Sequence, residues 1–146
     1  MILNQDFKES FALLNKYNVR YLIVEGYAVA YHDHPRYAKD IGVWIDNEQM
    51  NARALLQALI EFGFGSIGLK ATDFGIPNRI IQLGNPPNRI DILTSLKGVE
   101  FGGCYRSREA VEIDNAQLYF IGLKCLKTNK VALGRHQDLA DLENLE

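Results

Sequence analysis

The sequence predicts a single α+β domain over residues 1–146, with a mixed β-sheet, flanking helices and a C-terminal helical segment. Three observations predict this class. Helical and strand-like patterns alternate in the first half of the chain, two pairs of short strands separated by turn-forming residues follow, and the end of the chain is helical. The length suits one hydrophobic core, and 47% hydrophobic with 23% charged residues is ordinary for a globular domain.

The N-terminal half alternates helices and strands. The first helix is predicted because apolar residues recur at three- and four-residue spacing, at Phe7, Phe11, Leu14 and Tyr17. The next elements are a strand over 19–25, a short helix over 27–32, a strand over 40–46 and a helix that ends at Gly63. Asp46 is predicted to cap that last helix, with Gln49 as its partner in a capping box.

The C-terminal half contains two predicted hairpins and two helices. Residues 66–74 are predicted to be weakly extended. Strands over 79–84 and 89–96 are joined by the turn-forming sequence NPPN, and a second hairpin turns at Asn115. The tail is predicted to form two helices separated by Gly134, since glycine commonly ends a helix.

Charge and composition argue against several classes of partner. The net charge is −2, which favours neither nucleic acid nor an anionic membrane as a partner. No apolar run approaches the roughly 18–20 residues of a membrane helix, and the N-terminus lacks the pattern of a signal peptide. Cys104 and Cys125 are far apart and have no CxxC context, so we expect two reduced thiols in a cytoplasmic protein.

Carboxylates near two predicted strands suggest metal chemistry with one ligand absent. Asp40 and position 42 point to the same face of a strand, and Asp91 lies on a later strand. Three carboxylates in such an arrangement bind Mg²⁺ and neutralise a triphosphate. Position 42, however, is glycine, so the second carboxylate of the arrangement is missing. A glycine turn at Gly26 would let backbone N–H groups approach the phosphates.

Three stretches of the sequence carry a family resemblance. GYAVAYHDHPRYAKDIGVWID resembles the core of the nucleotidyltransferase superfamily, in which a glycine turn precedes an Asp-x-Asp strand. PPNRIDILTSLKGVEF resembles the third-carboxylate strand of a small bacterial branch of minimal nucleotidyltransferases and antitoxin-like relatives. FIGLKCLKTNKVALGRHQDLADLENL resembles the C-terminal helical signature of that branch. The resemblance implies a nucleotidyltransferase-like fold for the whole chain.

The chain departs from the family pattern mainly where metal and phosphate would bind. Glu25 replaces the first glycine of the turn, Asp33 and Ala38 replace a glycine and a threonine, and Gly42 replaces the second aspartate. One hypothesis is a catalytically degenerate protein that binds a nucleotide or a protein partner. The alternative is an active Mg²⁺-dependent enzyme that transfers a nucleoside monophosphate to a hydroxyl group, with Glu25 supplying the lost carboxylate.

The resemblance also assigns roles to individual residues. Asp40 and Asp91 would be catalytic and would bind Mg²⁺ if the protein is active, and possession of no cofactor is the other expectation. Glu25, which departs from the family, would be a metal ligand only on the hypothesis that it supplies the carboxylate that Gly42 lacks. The expected nucleotide-binding residues are Gly26, Arg36, Lys130 and Arg135. For Arg135, an equally favoured alternative is a pair with Asp138 that stabilises the start of a helix, and for Arg36 the favoured alternative is a surface ion pair with a nearby carboxylate. Expected partners are a nucleoside triphosphate, a protein and a second copy of the chain; whether the protein is an enzyme is left open.

Overall fold

The computed structural model describes residues 4–32, 41–85 and 89–145 of the chain. Two of the candidate site residues, Arg36 and Asp40, lie outside these ranges. The described helices are α1 (Gln5–Lys16), α2 (Glu25–His32), α3 (Gln49–Leu59), α4 (Phe101–Arg106), α5 (Leu123–Leu133) and α6 (His136–Asn144). The strands are β1 (Tyr21–Val24), β2 (Ile41–Ile45), β3 (Ile80–Leu83), β4 (Ile90–Leu93), β5 (Glu109–Ile113) and β6 (Ala116–Phe120).

The strands form one six-stranded mixed sheet in the order β3-β4-β2-β1-β6-β5. The pairs β1–β2, β3–β4 and β5–β6 are antiparallel, whereas β2–β4 and β1–β6 are parallel. Both predicted hairpins are therefore confirmed. The register places Val24 beside Gly42, and Gly42 beside Asp91. Three segments that are distant in sequence thus meet at one point of the sheet.

Successive side chains of β2 point to opposite faces of the sheet, and different helices cover the two faces. On one face, Val43 meets apolar residues of α1 and α3, including Phe11 and Leu59, around a small internal void. On the other face, Trp44 is buried and its ring lies 5.1 Å from that of Phe101 in α4. Burying apolar side chains on both faces of the sheet is the main stabilising contribution to the fold.

Two local expectations are wrong. Helix α3 is capped by Glu48, whose carboxylate accepts hydrogen bonds from the backbone of Met50 and Asn51. Asp46 forms an ion pair with Arg20 at 2.7 Å, and its Oδ1 accepts the backbone N–H of the capping residue Glu48 at 3.2 Å rather than that of a residue in α3. The stretch 66–74 contains short 3₁₀ turns rather than extended chain, because the carboxylate of Asp73 accepts the backbone N–H of Lys70.

The two cysteines are paired, contrary to the expectation of separate thiols. Cys104 in α4 forms a disulfide with Cys125 in α5, and their Cα atoms are 5.9 Å apart. The sequence alone did not suggest this pairing, because α4 was not predicted and its packing against α5 is a tertiary contact. No helix among the described residues is long and apolar enough to cross a membrane.

We expect reduction of this disulfide to lower the free energy of unfolding by about 3 kcal/mol, because the crosslink restricts the unfolded chain. The two cysteines are 21 residues apart in sequence, which sets the size of the loop that the bond closes. Urea unfolding with and without dithiothreitol measures the difference. The Cys104→Ser, Cys125→Ser double variant is the control and should not respond to the reductant. Equal stability of oxidised and reduced wild type would contradict the expectation.

Candidate functional site

A cleft of about 700 Å³ lies between one face of the sheet and helices α5 and α6. Its walls combine basic, acidic, amide and apolar side chains. The basic residues are Arg79, Lys97, Lys130 and Arg135, and the acidic residues are Glu25 and Asp138. The apolar residues are Ile80, Leu93, Leu96 and Leu133, and the remaining lining residues are Gly26, Asn78, Ser95, Asn129 and Gln137. A cleft of this size with a mixed lining can hold a small anionic ligand.

Glu25 fills the space that a side chain at position 42 would need. The residue lies at the β1–α2 junction with a φ of 62°, a left-handed conformation that favours glycine. A Cβ atom added to Gly42 would lie 2.5 Å from Oε1 of Glu25 and 3.0 Å from its Cδ. The register explains this proximity, since Val24 pairs with Gly42 and Glu25 follows directly. The two departures from the family pattern are therefore complementary in shape.

Asp91 lies on the strand next to Gly42 and is engaged by an arginine. Its side chain is 13% exposed. Arg89 donates from Nε to Oδ1 at 3.0 Å and from Nη2 to Oδ2 at 3.3 Å. Residues i and i+2 of a strand share a face, which places this pair on the face of β4 that also carries Leu93 of the cleft. Both carboxylate oxygens of Asp91 thus have a cationic partner.

The resemblance seen in the sequence implies Mg²⁺, and the described residues show whether their side chains suit that ion. Within 4–32, 41–85 and 89–145, no three His, Cys, Asp or Glu side chains are grouped so that they could hold a metal ion. Near Gly42, the carboxylate of Asp91 is already bound by Arg89. Mg²⁺ requires near-octahedral oxygen ligands. The described side chains therefore do not fit this ion in their present arrangement, and Asp40 lies outside them.

Lys130 is the centre of a buried ionic network at the α5–α6 turn. Its side chain is 4% exposed, and Nζ lies 3.2 Å from Oδ1 of Asp138 and 3.1 Å from Oδ2 of Asp141. Both aspartates are fully buried. The helices can turn here because Gly134 adopts a φ of 65°. In this network Lys130 is paired with two carboxylates, so its charge is balanced within the protein.

Arg135 binds Asp138 and also faces Glu25 across the cleft. Its Nε donates to Oδ2 of Asp138 at 2.6 Å, which is the helix-start pair considered from the sequence. This hydrogen bond raises the pKa of Arg135, and the Glu25 carboxylate contributes in the same direction. Burial on its own raises the pKa of Asp138, but the hydrogen bonds from Arg135 and Lys130 outweigh it and hold that pKa below its ordinary value.

The structure brings most of the expected residues to one place. Glu25, Gly26, Lys130 and Arg135 all line the cleft, and Asp91 lies on the same sheet face. The assigned roles of these residues, like those of the two residues outside the described ranges, stay predictions.

Two basic residues of the cleft, Arg79 and Lys97, were not predicted from the sequence. Neither belongs to a motif. Ser95 and Lys97 continue the two-residue spacing of Leu93 beyond β4, which is a weak signal that could have suggested a shared face.

Comparisons with known proteins bear on the fold. No protein-family model matches the chain, and no curated protein matches it in sequence. In structure, the chain is similar to a Thermotoga maritima protein whose crystal structure is described as that of a "putative nucleotidyltransferase". The two share 17% identity at a TM-score of 0.64, over 94% of this chain and 88% of the other. This similarity confirms the nucleotidyltransferase-like fold predicted from the sequence, and at this identity it extends to the fold alone.

Proposed function

We propose that this protein is a catalytically degenerate member of the nucleotidyltransferase fold that binds a nucleotide in the cleft. The observation that carries the proposal is the cleft itself, where basic side chains lie beside an apolar strip. Phosphate oxygens are held well by charge-assisted hydrogen bonds from arginine and lysine. An apolar wall next to them suits the flat face of a base. A nucleotide combines these two chemistries in one ligand.

The residues around Gly42 support the hypothesis that the protein has lost catalytic activity. Glycine at position 42 provides no carboxylate, and the space above it holds the side chain of Glu25. Asp91 is paired with Arg89 rather than left as an open ligand. A metal-dependent transfer needs carboxylates that are arranged around the ion. On this proposal the fold keeps its binding cleft while the metal ligands have changed.

We expect ATP to bind the wild-type protein with a Kd of about 1–100 μM in isothermal titration calorimetry. Ile80→Glu places a negative charge in the cleft at a residue that is 63% exposed, so the fold should tolerate it. This variant should weaken ATP binding by about tenfold or more through charge repulsion. The matched control is Met50→Glu, which puts the same charge on a 69% exposed apolar residue outside the cleft lining.

Two results would contradict the proposal. One is the absence of heat from titration of wild type with ATP and with GTP. The other is Mg²⁺- or Mn²⁺-dependent transfer of label from α-³²P nucleoside triphosphates to protein or RNA, which would show that the protein is an active enzyme.

One observation favours a second candidate function, the active Mg²⁺-dependent nucleotidyltransferase. Oε1 of Glu25 occupies the place of a side chain at position 42, so Glu25 is positioned to supply the missing carboxylate. In this case Asp40 and Asp91 would be the other metal ligands. The same labelling assay separates the two candidates, since transfer by wild type that is lost in Glu25→Ala supports the second. A protein partner and a homodimer stay predictions.

A further inference from the structure

The basic residues of the cleft differ in how their charges are balanced. Lys130 is enclosed by Asp138 and Asp141, and Arg135 binds Asp138. These two cations therefore offer little net positive charge for binding an anionic ligand. The Arg135 side chain is itself exposed, but its Nε and Nη2 both donate to Asp138, at 2.6 and 3.2 Å. Arg79 and Lys97, on the opposite wall, are exposed residues of the cleft lining that have no such two-point ion pair among the described residues.

Arg79 has a weak ion pair. Its Nη1 lies 3.9 Å from Oδ1 of Asp73, at the outer limit for such a contact, and the arginine side chain is 49% exposed. Exposed ion pairs of this kind contribute little free energy, so a phosphate group can compete with Asp73 for the guanidinium. For Lys97, no ion pair is found within the part of the chain that the structure describes.

The backbone that carries Arg79 is held in place by β4 and the residues after it. The N–H of Arg79 donates to Oγ1 of Thr94 at 2.9 Å, and the N–H of Thr94 donates to the carbonyl of Arg79 at 3.0 Å. The N–H of Asn78, which has a φ of 61°, donates to Oγ of Ser95 at 3.0 Å. Thr94 is buried at 3% exposure, so this attachment is shielded from water.

The backbone of Lys97 is fixed from the other side, by α5. Asn129, which is 2% exposed, donates from Nδ2 to the carbonyl of Lys97 at 2.9 Å. Gly98 has a φ of 84°, and a Cβ there would lie 2.5 Å from Cβ of Ala132. The chain must therefore pass close to α5 at this point. Arg79 and Lys97 thus lie on two segments whose backbones are held by hydrogen bonds. The segments meet at Thr94, which bonds to Arg79 and lies three positions before Lys97.

An apolar strip lies next to these two cations. Ile80 and Leu93 are paired in register between β3 and β4, and Leu96 and Leu133 extend the same lining. Ile80 is 63% exposed on the edge strand β3. Contact with a flat ring would remove this surface from water.

We infer that Arg79 and Lys97 form the phosphate subsite of the cleft and that the strip through Ile80 and Leu93 contacts the base. This inference rests on the proposed nucleotide binding and goes beyond it. It assigns the main contact with the phosphate to the β3–β4 wall. On the α5–α6 wall, the charges of Lys130 and Arg135 are balanced by acidic residues. Arginine supplies a paired donor geometry for phosphate oxygens, and lysine adds a mobile point charge.

The test is calorimetric titration of ATP into wild type, Arg79→Ala and Lys97→Ala in low salt, with folding verified by circular dichroism. Each variant should weaken ATP binding by about tenfold, because each loses a charge-assisted contact. The control is Lys124→Ala, which removes an exposed lysine of α5 outside the cleft lining and should leave the Kd within about twofold. Adenosine should bind equally to wild type and Lys97→Ala, because it has no phosphate.

The possible outcomes separate this inference from the proposed function. If wild type binds ATP and both cleft variants bind it within twofold of wild type, the subsite assignment is wrong and the proposed function stands. A loss of binding in Arg135→Ala alone would also overturn the assignment and place the phosphate on the α5–α6 wall. If wild type does not bind ATP, both the subsite and the proposed function fail.

Discussion

Gly42→Asp should lower the free energy of unfolding by about 2–4 kcal/mol, and adding Glu25→Gly should recover at least half of that loss. The reason is steric and electrostatic. A Cβ at position 42 would lie 2.5 Å from Oε1 of Glu25, so the new carboxylate and the existing one compete for one volume. Overpacking of this kind typically costs about 1–3 kcal/mol, and like charges in close contact add to it.

Glu25→Gly alone should stay within about 1 kcal/mol of wild type. Glycine relieves the left-handed backbone at a φ of 62°, which costs a non-glycine residue about 1–2 kcal/mol. The gain is offset by the greater freedom of glycine in the unfolded chain, about 0.5–1 kcal/mol. The two single variants and the double variant therefore form a thermodynamic cycle with a coupling energy of roughly 1–3 kcal/mol.

Urea unfolding monitored by circular dichroism measures all four proteins of this cycle. Gly102→Asp is a suitable control, because a Cβ there meets only the Nη1 atom of Arg106 at 3.7 Å. That control should change stability by less than about 1 kcal/mol. Additive effects of Gly42→Asp and Glu25→Gly would mean that the Glu25 side chain does not occupy the space above Gly42.

Lys130→Met should have the largest effect of any single substitution discussed, a loss of about 3–5 kcal/mol. The change leaves Asp138 and Asp141 without their shared cation in a fully buried site. The control is Lys124→Met, at an exposed position of the same helix, where the loss should be below about 0.5 kcal/mol. Replacing Asp141 by asparagine in the Lys130→Met background should restore part of the stability, because it removes a buried carboxylate whose cation has been lost, while Asp138 keeps its pair with Arg135.

The buried network around Lys130 predicts that the free energy of unfolding depends on pH. The pKa of Asp138 in the folded protein is below its ordinary value of 3.8. A carboxyl group whose pKa is lowered by folding stabilises the protein above its unfolded pKa, and this stabilisation is lost as the pH falls through the folded value. Wild-type stability should therefore decline as the pH drops below about 4.

In Lys130→Met, Asp138 loses one of the two cations that lower its pKa, so it takes up a proton at higher pH than in wild type. The difference in stability between the two proteins should consequently be smaller at pH 3 than at pH 7. Unfolding measured at both pH values tests this, and an equal difference at the two would show that the loss in Lys130→Met arises from packing rather than from charge.

Much of the fold could be predicted because its signals are local. The hairpin at Asn115 and the break at Gly134 follow from residues that adopt positive φ, and the structure has φ of 65° at both. The adjacency of the Asp91 strand to the Gly42 strand was likewise expected and is observed. Local signals were weaker for the start of α3, where Asp46 and Glu48 are both acidic residues able to cap; the structure uses Glu48, and Arg20 pairs with both.

The sequence by itself determined the class of fold, the order of most of its elements and the departures from the family pattern at Glu25 and Gly42, because periodicity, turn chemistry and sequence motifs are local properties of the chain. The tertiary structure alone decided which of those residues meet and with what balance of charge. It paired Cys104 with Cys125, enclosed Lys130 between two buried aspartates and placed Lys97 in the cleft. Such contacts join positions far apart in the chain, and their energies depend on burial and on neighbouring charges that no local pattern contains.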